Sequence, residues 1–199
     1  MISRAGRATL ANGSEVVRGL IAELATITAR ARQSFGGLSA VQLNWKPDRT
    51  EWSIAQCLEH LVLINAPYLP ILESVARGHR VPKLRERLPI LPRLFGRLML
   101  RLVQPDSRRK ITTKPRFEPS HSAIAATVVD RFAASQEELS RVMTAAATRN
   151  LGTIVITSPV SGFVTYSALD ACRIIVAHEQ QHMAQAERVL TALRSSAWR

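Results

Sequence analysis

Apolar residues recur three and four apart along four long stretches of this chain, and that period constrains the fold more than any other feature. In the first stretch, residues 14–33, Val16, Val17, Leu20, Ile21, Leu24 and Ile27 keep the spacing. Ser14 stands as its N-cap and Gly36-Gly37 as its stop. The second, SIAQCLEHLVLINA, follows Ser53, and Ser53 and Gln56 have the three-residue offset of a capping box. Pro67 and Pro70 kink or end it, and helical character resumes through ILESVARG to Gly78. The third starts at Ser120 or Ser122 and reaches about Ala147. Ile124, Val128, Phe132, Leu139, Val142 and Met143 mark its inner face, with Val129 at the edge. The fourth runs from Ser167, whose box partner is Asp170, to about Arg194. Leu169, Cys172, Ile175, Val176, Val189 and Leu193 form its stripe.

Such a pattern implies an all-α protein: an antiparallel four-helix bundle with a long crossover and a short extra helix. Ser39 and Gln42 repeat the capping-box offset and predict one short turn ahead of the second helix. LGTIVITSPVSG could pass for a strand, but no second clear strand is present to pair with it. At 199 residues the chain fits one domain, expected over 14–195 after a flexible N-terminus, 1–13. Residues 80–119 read as an irregular, basic crossover.

The net charge of +12 is concentrated in one place. Between Arg77 and Arg116 thirteen Lys and Arg face two acids, Glu86 and Asp106, so this segment holds +11 of it. Within it Arg93, Arg97 and Arg101 fall four apart, on one side of a short amphipathic helix. They form either a solvated face or an anion-binding stripe for an acidic partner or an anionic membrane surface. Nucleic acid is the weakest of these readings, because neither a DNA-binding motif nor an aromatic platform accompanies the charge. The N-terminus lacks the apolar run of a secretory signal, and the apolar stretches are too interrupted to cross a membrane. Cys57 and Cys172 lie inside apolar stretches and read as reduced, buried thiols. A cytoplasmic protein is therefore expected, with a homodimer left open.

The fourth stretch contains His178-Glu179-Gln180-Gln181-His182, the H-E-x-x-H form of helical zinc sites. One helical turn apart, the two imidazoles project the same way and can share an ion. The protease version of this motif needs Glu179 as base and a third ligand downstream. Only seventeen residues follow His182, and their sole acid, Glu187, is on the same helix. A third ligand must come from upstream, which makes Glu179 incidental. His60, inside CLEHLVLIN, is the best candidate; His79 and His121 lie among charged or small residues and read as surface side chains. Taken alone, His60 reads as a satisfied histidine at the edge of a core. Joined to the pair, it completes a three-histidine face with coordination positions left open, as a catalytic metal requires. Gln185 shares the face of His178 and His182 and could bond to a ligand or to bound water. Gln56, one turn before His60, could do the same, although it already serves the capping box. Cys57 is a buried thiol or, less plainly, a further ligand, and Trp45 and Trp52 either plug the bundle end or line a pocket mouth.

The pieces LNWKPDRTEWSIAQCLEHL, KPRFEP and SPVSGFVTYSALDACRIIVAHEQQHMAQAERVL resemble the DinB-like superfamily, in particular its bacterial DinB_2-type members. The resemblance spans roughly Gly19 to Leu193. It implies a four-helix bundle with a divalent metal, nickel or zinc foremost, on His60, His178 and His182. It also implies kinship with thiol transferases that use bacillithiol or mycothiol, and with a domain of ergothioneine-pathway enzymes. Two functions follow: a metal-dependent transferase or hydrolase acting on a small thiol or related substrate, or a metal-stabilised interaction module without turnover.

Overall fold

The four apolar stretches form helices that share one core. The computed structural model describes residues 4–78, 86, 96 and 114–196, with side-chain surroundings from residue 13 onward. In chain order the elements are α1 (Arg4–Phe35), α2 (Ala40–Asn44), α3 (Ile54–Asn65), α4 (Tyr68–Arg77), a 3-10 turn (Pro115–Phe117), α5 (Val128–Ala146), β1 (Val155–Thr157), β2 (Thr165–Ser167) and α6 (Ala168–Ser196).

Helix α1 begins ten residues before the expected cap, at Arg4. The stretch RATLA consists mostly of good helix formers, and once a helix is nucleated each added residue costs little. Ser39 and Ser53 both form full capping boxes with Gln42 and Gln56, as their spacing predicts. Helix α3 ends at Asn65, and α4 restarts behind Pro67, with Pro70 in its first turn, where a missing N–H is harmless. Gly78 closes α4 in the left-handed conformation, φ 69°.

Helix α5 starts at Val128, later than Ser120 or Ser122. The backbone before it is held by side chains and not by a helical ladder. Asn44 Nδ2 donates to the Ile124 carbonyl at 2.7 Å and Asn44 Oδ1 accepts from Ile124 N–H at 2.9 Å. Ser120 N–H donates to Glu59 at 2.7 Å.

Helix α1 packs against α5 and α6, and α3 packs against the same two, so the order around the bundle is α1, α6, α3, α5. Cross-links set the directions. Glu23 meets Gln180 and Arg30 meets Glu187, so α1 and α6 run the same way. Asn65 meets Glu179 while His60 meets His182, so α3 opposes α6. Glu59 meets Arg131 and Glu73 meets Arg141, so α3 with α4 runs parallel to α5. Two parallel neighbours require a long return path, which is the crossover between Gly78 and Val128. The inward stripes are buried as their period predicts, from Val17, Leu24 and Phe35 of α1 to Phe132, Leu139 and Met143 of α5. Each such Leu, Ile or Phe contributes about 1.5–3 kcal/mol relative to exposure.

One correction concerns LGTIVITSPVSG. It does contain a strand, and its partner is the short run Thr165-Tyr166-Ser167 just after the turn. The pair is antiparallel, with Ile156 opposite Tyr166 and both fully buried. Three residues running directly into the N-terminus of α6 offer too little alternation to stand out in the sequence. Ser158 and Ser161 shape the turn by accepting from the N–H groups of Ser161 and Val164. Tyr166 and Tyr68 share a hydroxyl hydrogen bond of 2.7 Å that fastens the hairpin to α4. No described helix is long and apolar enough to cross a membrane.

Candidate metal centre

His60, His178 and His182 converge although 118 residues separate the first from the second. The capping box at Ser53 starts α3 in a register that turns His60 inward, where it is buried. The four-residue offset on α6 brings the other two opposite it. Ring centroids lie 5.2 Å apart for His60–His178, 4.7 Å for His60–His182 and 4.6 Å for His178–His182. One nitrogen from each ring can be chosen so that all three lie within 4.8 Å of one another.

Hydrogen bonds decide which nitrogens those are. His60 Nδ1 lies 2.8 Å from the Phe117 carbonyl, an acceptor, so Nδ1 carries the proton and Nε2 keeps its lone pair. His182 Nδ1 is 3.0 Å from Gln185 Oε1, which imposes the same tautomer. The Nε2 atoms of His178 and His182 face each other at 3.2 Å. Two nitrogens bound tetrahedrally to one zinc-sized ion sit about 3.3 Å apart, so this pair has the spacing of a shared ion.

The rings are also kept neutral. Burial lowers the pKa of His60, with the Phe117 hydrogen bond opposing it. Burial pushes His182 down to about 3, helped by the nearby His60 charge. Burial, then the charges of His182 and His60, holds His178 well below the usual imidazole range. Neutral imidazoles are the form that binds metals. The donor set therefore fits a divalent ion that accepts nitrogen ligands.

Gln185 touches His182 as its spacing suggests. Gln56 does not reach the histidines. Its Oε1 accepts from Ser53 N–H and its Nε2 donates to the Ser120 carbonyl. With Glu59 holding Ser120 N–H and His60 holding Phe117, three side chains of α3 clamp residues 117–120. Gln56 thus helps to hold the segment that carries the Phe117 carbonyl, without touching that carbonyl itself. The sequence does not reveal the part of Phe117: KPRFEP marks the segment, but a backbone carbonyl leaves no side-chain signature. Cys57 is buried, outside the three-histidine cluster, and burial pushes its thiol up to about 12. His121 is exposed beside Glu118. Arg93, Arg97, Arg101 and His79 lie outside the described residues.

Glu179 is the larger omission. It is fully buried, and its Oε1 accepts from Asn65 Nδ2 at 2.6 Å and Gln136 Nε2 at 2.8 Å. Burial raises its pKa to about 8 against those two donors. A polar Gln136 on the apolar face of α5 was the available signal.

The DinB superfamily model matches residues 23–186, which include all three histidines, and the chain belongs to that superfamily. No curated protein and no solved structure matches the chain.

Proposed function

We propose that the protein is a divalent-metal-dependent enzyme whose metal is held by His60, His178 and His182. The observation that supports this reading most is the three-histidine convergence, with both assigned Nδ1 protons turned away from the shared point. A bound zinc or nickel ion would act as a Lewis acid and lower the pKa of a ligand at a free position. The chain's own residues do the preparation. Phe117 and Gln185 set the tautomers of His60 and His182, and burial keeps all three rings deprotonated at neutral pH. Three protein ligands leave room for a substrate donor, which suits transfer or hydrolysis on a small thiol or related compound.

Metal analysis of protein purified without a histidine tag tests the site. Roughly one divalent ion per chain is expected, lost in His60→Ala and in His178→Ala. Full occupancy in both variants would overturn the assignment. Turnover assays with low-molecular-weight thiols and nickel or zinc then test the reaction, and inactivity with every pairing would leave a metal-stabilised module.

The charge distribution favours a second reading for one segment. With +11 concentrated between Arg77 and Arg116, Arg93, Arg97 and Arg101 would dock the bundle to an acidic partner or an anionic membrane. Binding to anionic vesicles that weakens with salt and disappears when the three arginines become alanine is the expected result. Equal binding by the variant would exclude it.

A further inference from the structure

We propose that Trp52 is a positioning residue of the histidine site, fixing the planes of His182 and His60 together. The inference rests on the metal reading above and adds a residue to it.

The indole stacks on His182 at a centroid distance of 5.5 Å and an interplanar angle of 20°. It also meets His60 at 4.8 Å, tilted by 54°. His178 packs on the other two imidazoles instead. An imidazole anchored through Nδ1 alone still rocks about that hydrogen bond. His182 and His60 are each anchored in this way, to Gln185 and Phe117. One indole against both rings removes the remaining motion and keeps the two Nε2 lone pairs aimed at a common point.

Local sequence explains its place. Trp52 directly precedes the N-cap Ser53, and Cys57 stands at the offset of a hydrophobic staple. Trp52 is half-buried and packs against the core, so it also closes the bundle end. A plug and a positioning residue differ in what their loss does. Removing a plug lowers stability alone, whereas removing a positioning residue also loosens metal binding.

The test uses the full, untagged chain with Ni²⁺ and Co²⁺ as probes. Trp52→Ala should weaken Ni²⁺ about tenfold, the scale of one aromatic pair. Trp52→Phe should restore affinity to within about twofold, because a six-membered ring can still stack. The visible absorption of bound Co²⁺ should change in Trp52→Ala and return in Trp52→Phe. Trp45→Ala, at the other tryptophan of the same turn, should leave both readouts as in the wild type. If Trp52→Ala loses its helical circular dichroism, Trp52→Leu keeps bulk without a ring and should show the same loss of affinity. Wild-type affinity and an unchanged Co²⁺ spectrum in the folded alanine or leucine variant would overturn the proposal alone. Absence of Ni²⁺ and Co²⁺ binding by the wild type would overturn the metal reading and this proposal with it.

Discussion

His178 and Glu179 are neighbours in the chain, and both face the interior of the bundle, yet they have opposite surroundings. His178 looks towards His60 and His182, three bases whose lone pairs converge. Glu179, turned by about 100° on the same helix, is sealed between Asn65 of α3 and Gln136 of α5. The first group brings nitrogen acceptors within close range of one another. In the second, Glu179 Oε1 is satisfied by two amides, whereas Glu179 Oε2 and Gln136 Oε1 receive no hydrogen bond from the described residues. A bundle interior admits polar side chains on two different terms. One group is three neutral bases drawn together, and the other is a carboxyl group held by amide donors within the core.

Alanine at each of the two positions should give opposite losses. His178→Ala should reduce metal affinity by about a thousandfold, on the scale of one lost ligand. Urea unfolding of the chelated protein should move by less than about 1 kcal/mol, because the ring it removes is desolvated and weakly bonded. Glu179→Ala should do the reverse. It strips the acceptor from two buried amides and opens a cavity, at about 3 kcal/mol of stability, while the folded fraction still binds metal. A Glu179 variant that lost metal at full stability would erase the distinction.

The two groups also respond to pH in opposite directions. Glu179 holds its proton more tightly when folded, so stability should fall as pH rises from 4.5 towards about 8. His182 holds its proton less tightly when folded, so its contribution should fall as pH drops from 6.5 towards about 3. Urea melts of the metal-free protein should therefore decline between pH 6.5 and 8, by at most about 1.4 kcal/mol per pH unit. Glu179→Gln should flatten that limb and leave the acid limb in place; an alkaline decline that survived it would place its origin elsewhere. The smallest effect expected is that of Gln185→Ala, about a tenfold loss of metal affinity with little change in stability, read by competition with a chelator.

Much of this was legible in the chain. The 3.6-residue period marks the four inner stripes, and the boxes at Ser39 and Ser53 set the start of α2 and α3. His178 and His182 declare themselves by spacing, since a helix dictates where residues four apart project. Gln185 follows from the same geometry. The structure corrects the reading where short or backbone features act. The second strand is three residues long, the start of α5 is displaced by side chains of α2 and α3, and Gln56 spends its amide on Ser53 and Ser120.

Local pattern is enough to show which faces are apolar, where α2 and α3 start, and that two imidazoles share a side of α6. These are local matters, set by periodicity and by groups within one turn of each other. Packing of the helices is what sets Phe117 against His60, lays Trp52 across two of the three rings and encloses Glu179 in a separate polar cluster. Each of those facts joins residues at least eight and as many as 130 positions apart. They depend on how four helices pack around one core, which no local pattern encodes.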